Sequence, residues 1–263
     1  MVKLDTTKRK MQKSQTESQC NMKSSRGKRS KLIMVDDFCD YNMKEIIHMN
    51  YHNITHDDML NGSGLRVVLW VSGCNHRCEG CQNPQTWDCK SGIPFDAEAK
   101  EELFNELSKD YISGITFSGG DPLHENNLEE ILDLVKEIRK KYPKPQDVDL
   151  KTQHVVGNSD KNHYISNENT DKIRISFPTK TIWLYTGYTW NQIMYPVVTD
   201  DFNPNRDKII KMRQEIVKQC DVLVDGEYKK ELRDVTLHWI GSSNQKVIDV
   251  KKTLQSDKII LLE

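Results

Sequence analysis

Cys74, Cys78 and Cys81 stand in the stretch CNHRCEGCQN, directly after the apolar run from Leu65 to Val71. Thiolates bind soft transition metals, and a cubane iron-sulfur cluster is usually closed by four cysteines. A tight group of three at C-x3-C-x2-C spacing therefore suggests a cluster with one iron left open to an outside ligand. Gly80, without a Cβ, lets the chain approach such a cluster closely before Cys81. A zinc site is the alternative, and it needs a fourth ligand that Cys89 or His76 can supply. Disulfides fit less well: the chain begins with no apolar signal segment, and seven cysteines is an odd count, which suits a reducing compartment. Cys20, Cys39, Cys89 and Cys220 lie apart from one another and read as ordinary thiols, Cys220 as a buried one.

The elements that must position the triplet follow from periodicity. LRVVLWVS (Leu65 to Ser72) is β-branched, aromatic and almost continuously apolar, which suits a strand covered on both faces. Asp96 is placed to cap a helix on which Leu103, Phe104 and Leu107 share a face, ending near Asp110. A second strand is expected at Gly114 to Ser118. Asn127 stands three residues before Glu130, and Leu128, Ile131, Leu132, Val135 and Ile138 then follow helical spacing up to Tyr142 and Pro143. A third strand at Thr181 to Thr186, a helix from about Asp207 to Gln219 and a fourth strand at Asp221 to Val224 complete the pattern. Strands alternating with amphipathic helices imply parallel pairing.

Composition bounds the rest. The 263 residues are 36% hydrophobic with a net charge of -1, enough for one catalytic domain with appendages. No stretch approaches the roughly 18 to 20 apolar residues of a membrane span, so a soluble, cytoplasmic protein without a membrane partner is expected. Residues 1–31 hold ten lysines and arginines against Asp5 and Glu17, and with few large apolar side chains the segment 1–48 reads as a disordered basic extension. The overall charge argues against a nucleic-acid partner, although a zinc-stabilised module using the basic segment for phosphate contacts remains the alternative from another class. The polar stretch 144–179 is far longer than an ordinary connection of about 2 to 6 residues and reads as an insertion. Val155 and Val156 can pair with Ile173, Ile175 and Phe177 within or just after it as a hairpin.

Counted from Met49 without that insertion, roughly 180 residues remain, too few for the roughly 250 of a full eight-unit barrel. The fold class expected is α/β, a partial (open) βα barrel of about five or six units. Its strand-end loops gather at one rim, where such folds place their sites. SGGDP (Ser118 to Pro122), TGY (Thr186 to Tyr188) and DG (Asp225, Gly226) each follow a strand. Singly each is an ordinary turn signal.

Together with the cysteine loop, these segments resemble the radical S-adenosylmethionine enzymes, and within them the family that activates anaerobic (class III) ribonucleoside-triphosphate reductase. The likeness begins at MNYHN, takes in NGSGLRVVLWVSGCNHRCEGCQNPQTWD, SGGDPLHENN, TIWLYTGYTW and VLVDGEYKKELRD, and ends with LHWIGSSNQKVID. The family commonly has proline at position 63, an aromatic at 82 and arginine at 240, where this chain has Ser63, Gln82 and Ile240.

The resemblance implies that Cys74, Cys78 and Cys81 ligate a 4Fe-4S cluster whose open iron is chelated by S-adenosyl-L-methionine. One-electron reduction then cleaves the sulfonium, and hydrogen is taken from a glycine of the reductase to leave a glycyl radical. It also implies that Gly119 and Gly120 meet the methionyl end, that Ser118 and Asp121 position that turn, and that Gly80 and Gln82 flank the adenosine. No catalytic side chain beyond the cluster and cofactor is implied. The partners implied are the anaerobic reductase as protein substrate and a one-electron donor such as a flavodoxin or ferredoxin. NGSG and GSSNQ are expected to shape the opening for the partner's glycine. The activase of another glycyl-radical enzyme is the alternative within the class. His52, His56, His76 and His124 receive no role.

Overall fold

One mixed sheet organises the computed structural model, which describes residues 49–144, 179–196 and 204–262. In chain order the elements are β1 (Asn50–Asp58), β2 (Arg66–Val71), β3 (Ile93–Pro94), α1 (Ala97–Leu107), β4 (Gly114–Gly119), α2 (Leu128–Lys141), β5 (Thr181–Tyr185), α3 (Trp190–Met194), α4 (Pro204–Gln219), β6 (Val222–Asp225), β7 (Lys246–Asp249) and α5 (Val250–Leu254). The seven strands lie in the order β3-β1-β2-β4-β5-β6-β7. β2, β4, β5 and β6 pair in parallel, while the β1–β2, β1–β3 and β6–β7 pairings are antiparallel. The fold is thus α/β, with four parallel strands among the described residues instead of the five or six units expected. Antiparallel strands occupy both flanks of the sheet, and β1 is formed by NYHNITHDD, whose mixture of polar and apolar residues hides it in the sequence.

Strand periodicity of two sorts the side chains between the faces. Val67, Leu69 and Val71 of β2, Ile115 and Phe117 of β4, Ile182 and Leu184 of β5 and Leu223 of β6 join the large core with the helices. Trp183, Val222 and Val224 form a smaller cluster with Trp239, Ile240 and Val247 packed on it. Arg66 is fully buried, with its guanidinium 5.2 Å from the ring centre of Trp183.

α1 begins at Asp96, whose carboxylate accepts from the Ala99 amide, and buries Ala99, Leu103 and Leu107. It ends at Leu107, and Phe104 is only partly buried at the margin of the core. α2 buries Leu128, Ile131, Leu132, Leu134, Val135 and Ile138, worth on the order of 10 kcal/mol at about 2 kcal/mol each. That gain dwarfs the roughly 1 kcal/mol of an N-cap. Asn127 indeed makes no side-chain cap; its amide instead donates to the carbonyls of Ser72 and Asp121 at 2.8 and 2.9 Å. α4 starts at Pro204, three residues before the expected boundary. The extension 1–48, most of the insertion 144–179 and its hairpin lie outside the described residues. No described helix is long and apolar enough to cross a membrane.

Candidate iron-sulfur and cofactor site

Because β2, β4, β5 and β6 run in parallel, the cysteine loop, SGGDP, TGY and DG all leave the sheet at its carboxyl-terminal rim. The cysteine loop is anchored at its base. The Gly73 amide donates to Thr86 O at 2.7 Å, that of Cys74 to Trp87 O at 3.0 Å, and Gly73 O accepts from the Asp121 amide at 2.7 Å. Gly73 has φ 96° and Gly80 φ 73°, conformations that a Cβ disfavours. The Cys81 amide closes a turn on Cys78 O at 3.2 Å, and the Cys81 sulfur accepts from the Asn83 amide at 3.4 Å.

The donor set can be tested against an iron-sulfur cluster. Cys74, Cys78 and Cys81 are free, partly buried thiols. Burial, then the charge of Asp121, pushes the Cys74 thiol up to about 11, against hydrogen bonds from the His76 and Arg77 backbone. Burial also raises Cys78, against one from the Tyr228 backbone. Backbone amides thus aim at sulfurs that lack a compensating cation, and a bound metal supplies that charge and deprotonates the thiols. Among the described residues no three His, Cys, Asp or Glu side chains converge on a point fit for a single metal ion. A 4Fe-4S cluster presents each thiolate with its own iron, which suits three partly buried thiols spaced along one short loop. Cys89 lies behind the loop, its Cβ 3.2 Å from where a side chain on Gly73 would begin.

Asp121 is the junction of the rim. It is 1% exposed, and its carboxylate accepts from the Leu123 amide (2.8 Å), the Thr186 hydroxyl (2.9 Å to either oxygen), the Gly187 amide (3.1 Å) and His76 Nε2 (2.9 Å). Asp121 thus forms its own turn and also joins three loops. His76, assigned no role from sequence, bonds Asp121 through Nε2 and Glu227 through Nδ1, each at 2.9 Å. Burial lowers its proton affinity, but the two carboxylates outweigh this and raise its pKa. Its ring meets Tyr188 edge-on at 4.6 Å, and Tyr188 stacks in turn on Arg213 at 4.1 Å.

The other expected residues fall as follows. Ser118 is buried at 8% exposure at the end of β4. A Cβ on Gly119 would lie 2.8 Å from Val71 N and O, and one on Gly120 2.5 Å from Gly73 O, so both glycines are needed where β4 and its turn press on the base of the cysteine loop. Gly80 and Gln82 are exposed, and a Cβ on Gly80 would lie 3.4 Å from the Lys230 stem. Asp225 of DG accepts from the Trp190 amide at 2.7 Å and so steadies the start of α3.

The segments NGSG and GSSNQ have separate structural tasks. Gly62 (φ 131°) lies so close to Arg66 and Trp183 that a Cβ would come within 2.9 Å of both. Trp239, just before GSSNQ, meets Trp183 edge-on at 5.0 Å. Gln245 gathers the Gly241 and Ser242 amides on its oxygen and donates to Gly226 O, which closes an excursion of residues 226–245. The sequence carries no sign of the parts played by Glu227 and Arg66, and it points Asn127 to a helix cap and His76 to a zinc site instead of to the bonds they make; the carboxylate partners of His76 are 45 and 151 residues away.

Fold and site define an α/β protein built round one iron-sulfur cluster: a family model described as a 4Fe-4S single cluster domain matches residues 60–167 and 157–248. Relatives named anaerobic ribonucleoside-triphosphate reductase-activating protein are similar over most of the chain. The one from Enterobacteria phage T4 is 35% identical over 199 residues, 76% of this chain and 93% of the relative. That from Escherichia coli is 34% identical over 201 residues, 76% and 97% of the two chains, and that from Vibrio cholerae 32% over 199, 75% and 96%. The chain belongs to the family of anaerobic ribonucleoside-triphosphate reductase-activating proteins.

Proposed function

We propose that this chain activates anaerobic ribonucleoside-triphosphate reductase by placing a glycyl radical on it, with a 4Fe-4S cluster and S-adenosylmethionine as cofactors. The observation that carries the reading is the direct attachment of the SGGDP turn to the base of the cysteine loop through the Gly120 and Asp121 amides, on Val71 O and Gly73 O. A metal-binding loop and a glycine turn are thereby held as one rim unit.

Cys74, Cys78 and Cys81 would hold the cluster. When bound, the cluster and S-adenosylmethionine would supply one-electron reductive cleavage of the sulfonium and the radical chemistry that removes hydrogen from a glycine Cα of the reductase. The chain's own part is orientation. Gly119 and Gly120 bring bare backbone to the methionyl end, Ser118 and Asp121 hold that turn, and Gly80 and Gln82 flank the adenosine side by backbone contact. Exposed Gln82, in place of the family's aromatic, offers no stacking surface there. The sheet is best read as an open partial barrel whose rim carries the site, with the domain beginning near residue 49 and 144–179 an insertion. Gly62 of NGSG and Trp239, two residues before GSSNQ, both lie against Trp183, which supports a joint role for the two segments in shaping the way in for the partner's glycine. A flavodoxin- or ferredoxin-type protein would deliver the electron.

Anaerobic reconstitution tests this reading. About four irons per chain are expected, with loss of cluster reactivity in Cys78→Ala and full iron retention in Cys89→Ala. Incubation with reductant, S-adenosylmethionine and the anaerobic reductase should release 5′-deoxyadenosine and give a glycyl signal in electron paramagnetic resonance. A colourless protein with stoichiometric zinc, or a radical formed on a different partner and not on this reductase, overturns it.

A further inference from the structure

We infer that His76 is a positioning residue for the cluster-holding loop, clamped between two carboxylates that reach it from different rim loops. This rests on the proposed function, since the orientation of residues 74–81 matters to the reaction only if that loop carries the cluster.

Both ring nitrogens are engaged, Nε2 by Asp121 and Nδ1 by Glu227, each at 2.9 Å. A carboxylate only accepts hydrogen bonds, so the ring is held at two opposed points and cannot rotate without losing one. The ring packs roughly perpendicular to that of Tyr188 and fills the space beside Gly187, where a Cβ would be 2.4 Å from His76 Cδ2. TGY therefore has glycine at its centre because the histidine ring occupies the space.

The two halves of the clamp differ. The Asp121 side chain is 2% exposed and bound on all sides, while that of Glu227 is 53% exposed. Glu227 belongs to the excursion 226–245, which grips the cysteine loop at two further points. Lys230 Nζ bonds Glu79 at 2.8 Å, and the Tyr228 backbone reaches the Cys78 sulfur. Residues 227, 228 and 230 thus meet residues 76, 78 and 79 in order along the loop. The excursion is itself braced, since Asn244 donates to Glu227 O at 2.9 Å and Ser242 Oγ accepts from the Lys229 amide at 3.1 Å. Asp121 sets the fixed side of the loop's orientation, and Glu227 sets the adjustable side.

The test uses the full chain with His76→Phe, Glu227→Gln, the double variant and His76→Gln. His76→Phe keeps a ring in the space over Gly187 and removes both hydrogen bonds. In the metal-free protein, amide hydrogen exchange over 74–81 is expected to rise about tenfold or more in His76→Phe, as befits loss of charge-assisted bonds, with β2 and α2 unchanged. Glu227→Gln should give a smaller rise, the double variant no more than His76→Phe alone, and His76→Gln a partial return. In the reconstituted protein, with dithionite as reductant, His76→Phe should keep its iron and raise KM for S-adenosylmethionine about tenfold, with a smaller change in kcat. Unchanged exchange, exchange raised throughout the domain, or independent effects of the two substitutions would overturn the clamp. Should wild-type protein fail to cleave S-adenosylmethionine, the proposed function falls while the exchange measurements still decide the clamp.

Discussion

Asp121→Asn is a small change with a large expected effect, because the carboxylate it replaces faces donors alone. Oδ1 accepts from the Leu123 amide and the Thr186 hydroxyl, and Oδ2 from His76 Nε2, the Thr186 hydroxyl and the Gly187 amide. Asparagine puts an NH2 at one of these positions. With NH2 at the Oδ2 position, His76 can turn its tautomer so that Nε2 accepts while Nδ1–H still serves Glu227, and the Thr186 hydroxyl can also accept. The Gly187 amide cannot adapt. With the opposite flip the Leu123 amide is orphaned instead. Either orientation strands one backbone N–H in a site that is 1% exposed, a cost of about 1–3 kcal/mol, and weakens the bonds that were charge-assisted. A total of about 2–4 kcal/mol follows, a large fraction of the roughly 5–15 kcal/mol that holds a domain folded.

Urea unfolding of the metal-free chain measures this directly, as a lower midpoint at unchanged slope. Asp121→Ala, which removes the acceptor from every donor at once, should cost more. If the asparagine NH2 takes the Oδ2 position, the His76 ring should carry its proton on Nδ1, and if it takes the Oδ1 position Nε2 should keep a proton; the nitrogen chemical shifts tell which. A loss below about 0.5 kcal/mol, the size of an ordinary surface substitution, would refute the idea that Asp121 is the junction of the rim.

Three further outcomes are expected. Arg66 donates to Thr116 Oγ1, Thr181 Oγ1 and the carbonyls of Ser63, Ile115 and Thr181, and burial brings its pKa down to about 10, so it stays charged at neutral pH. Arg66→Lys keeps a buried cation but loses the fork that satisfies these acceptors, and should lower the unfolding free energy by about 3 kcal/mol; a loss within about 0.5 kcal/mol would contradict this. His124 accepts from the Asn126 amide at Nδ1, and burial lowers its pKa from the ordinary 6.5. Its contribution is therefore complete above pH 6.5 and is lost as pH falls from there through the lowered value. The metal-free chain should lose stability over that acid range, and His124→Gln should flatten the slope, leaving the share of His52, whose pKa burial also lowers. Cys220 is fully buried, its thiol pushed up to about 12, so iodoacetamide should label it only as fast as the domain unfolds, while the cysteines of the loop react in the folded metal-free protein.

The long helix α2 is legible because its apolar spacing fits only a helix, and the parallel strands because short, β-branched apolar runs of strand length alternate with amphipathic helices. β1 is not, since NYHNITHDD buries Tyr51 and Ile54 while interposing His52 and Asn53, and its place depends on pairing with β2. The cysteine triplet was legible because the ligands are near neighbours in sequence. Asp121 is expected from the sequence only to position its own turn, and only the register of β4 against β2 and β5 brings His76 and Thr186 to it. Asn127 shows the limit in the other direction. A residue with capping chemistry stands at a helix start, yet it serves the carbonyls of Ser72 and Asp121, because α2 has enough buried surface to form without a cap.

The glycines of the rim tie these points together. In the sequence the paired glycines of SGGDP are expected to meet a ligand, and in the fold the side on which a Cβ would stand at Gly119, Gly120 and Gly187 is filled by protein. Val71 crowds Gly119, Gly73 crowds Gly120, and the His76 ring crowds Gly187. Each crowding atom belongs to the end of β2 or to the cysteine loop that follows it. Three glycines at or just beyond the ends of two other strands therefore let those strands close on a single loop, and Asp121 then locks the approach with hydrogen bonds. A ligand meeting this rim finds loops whose mutual positions are fixed before it arrives, so little of its binding energy is lost in ordering them. The same crowding makes the motif unforgiving, since a methyl group on Gly120 would have to displace the backbone of Gly73 and, with it, the start of the metal-binding loop.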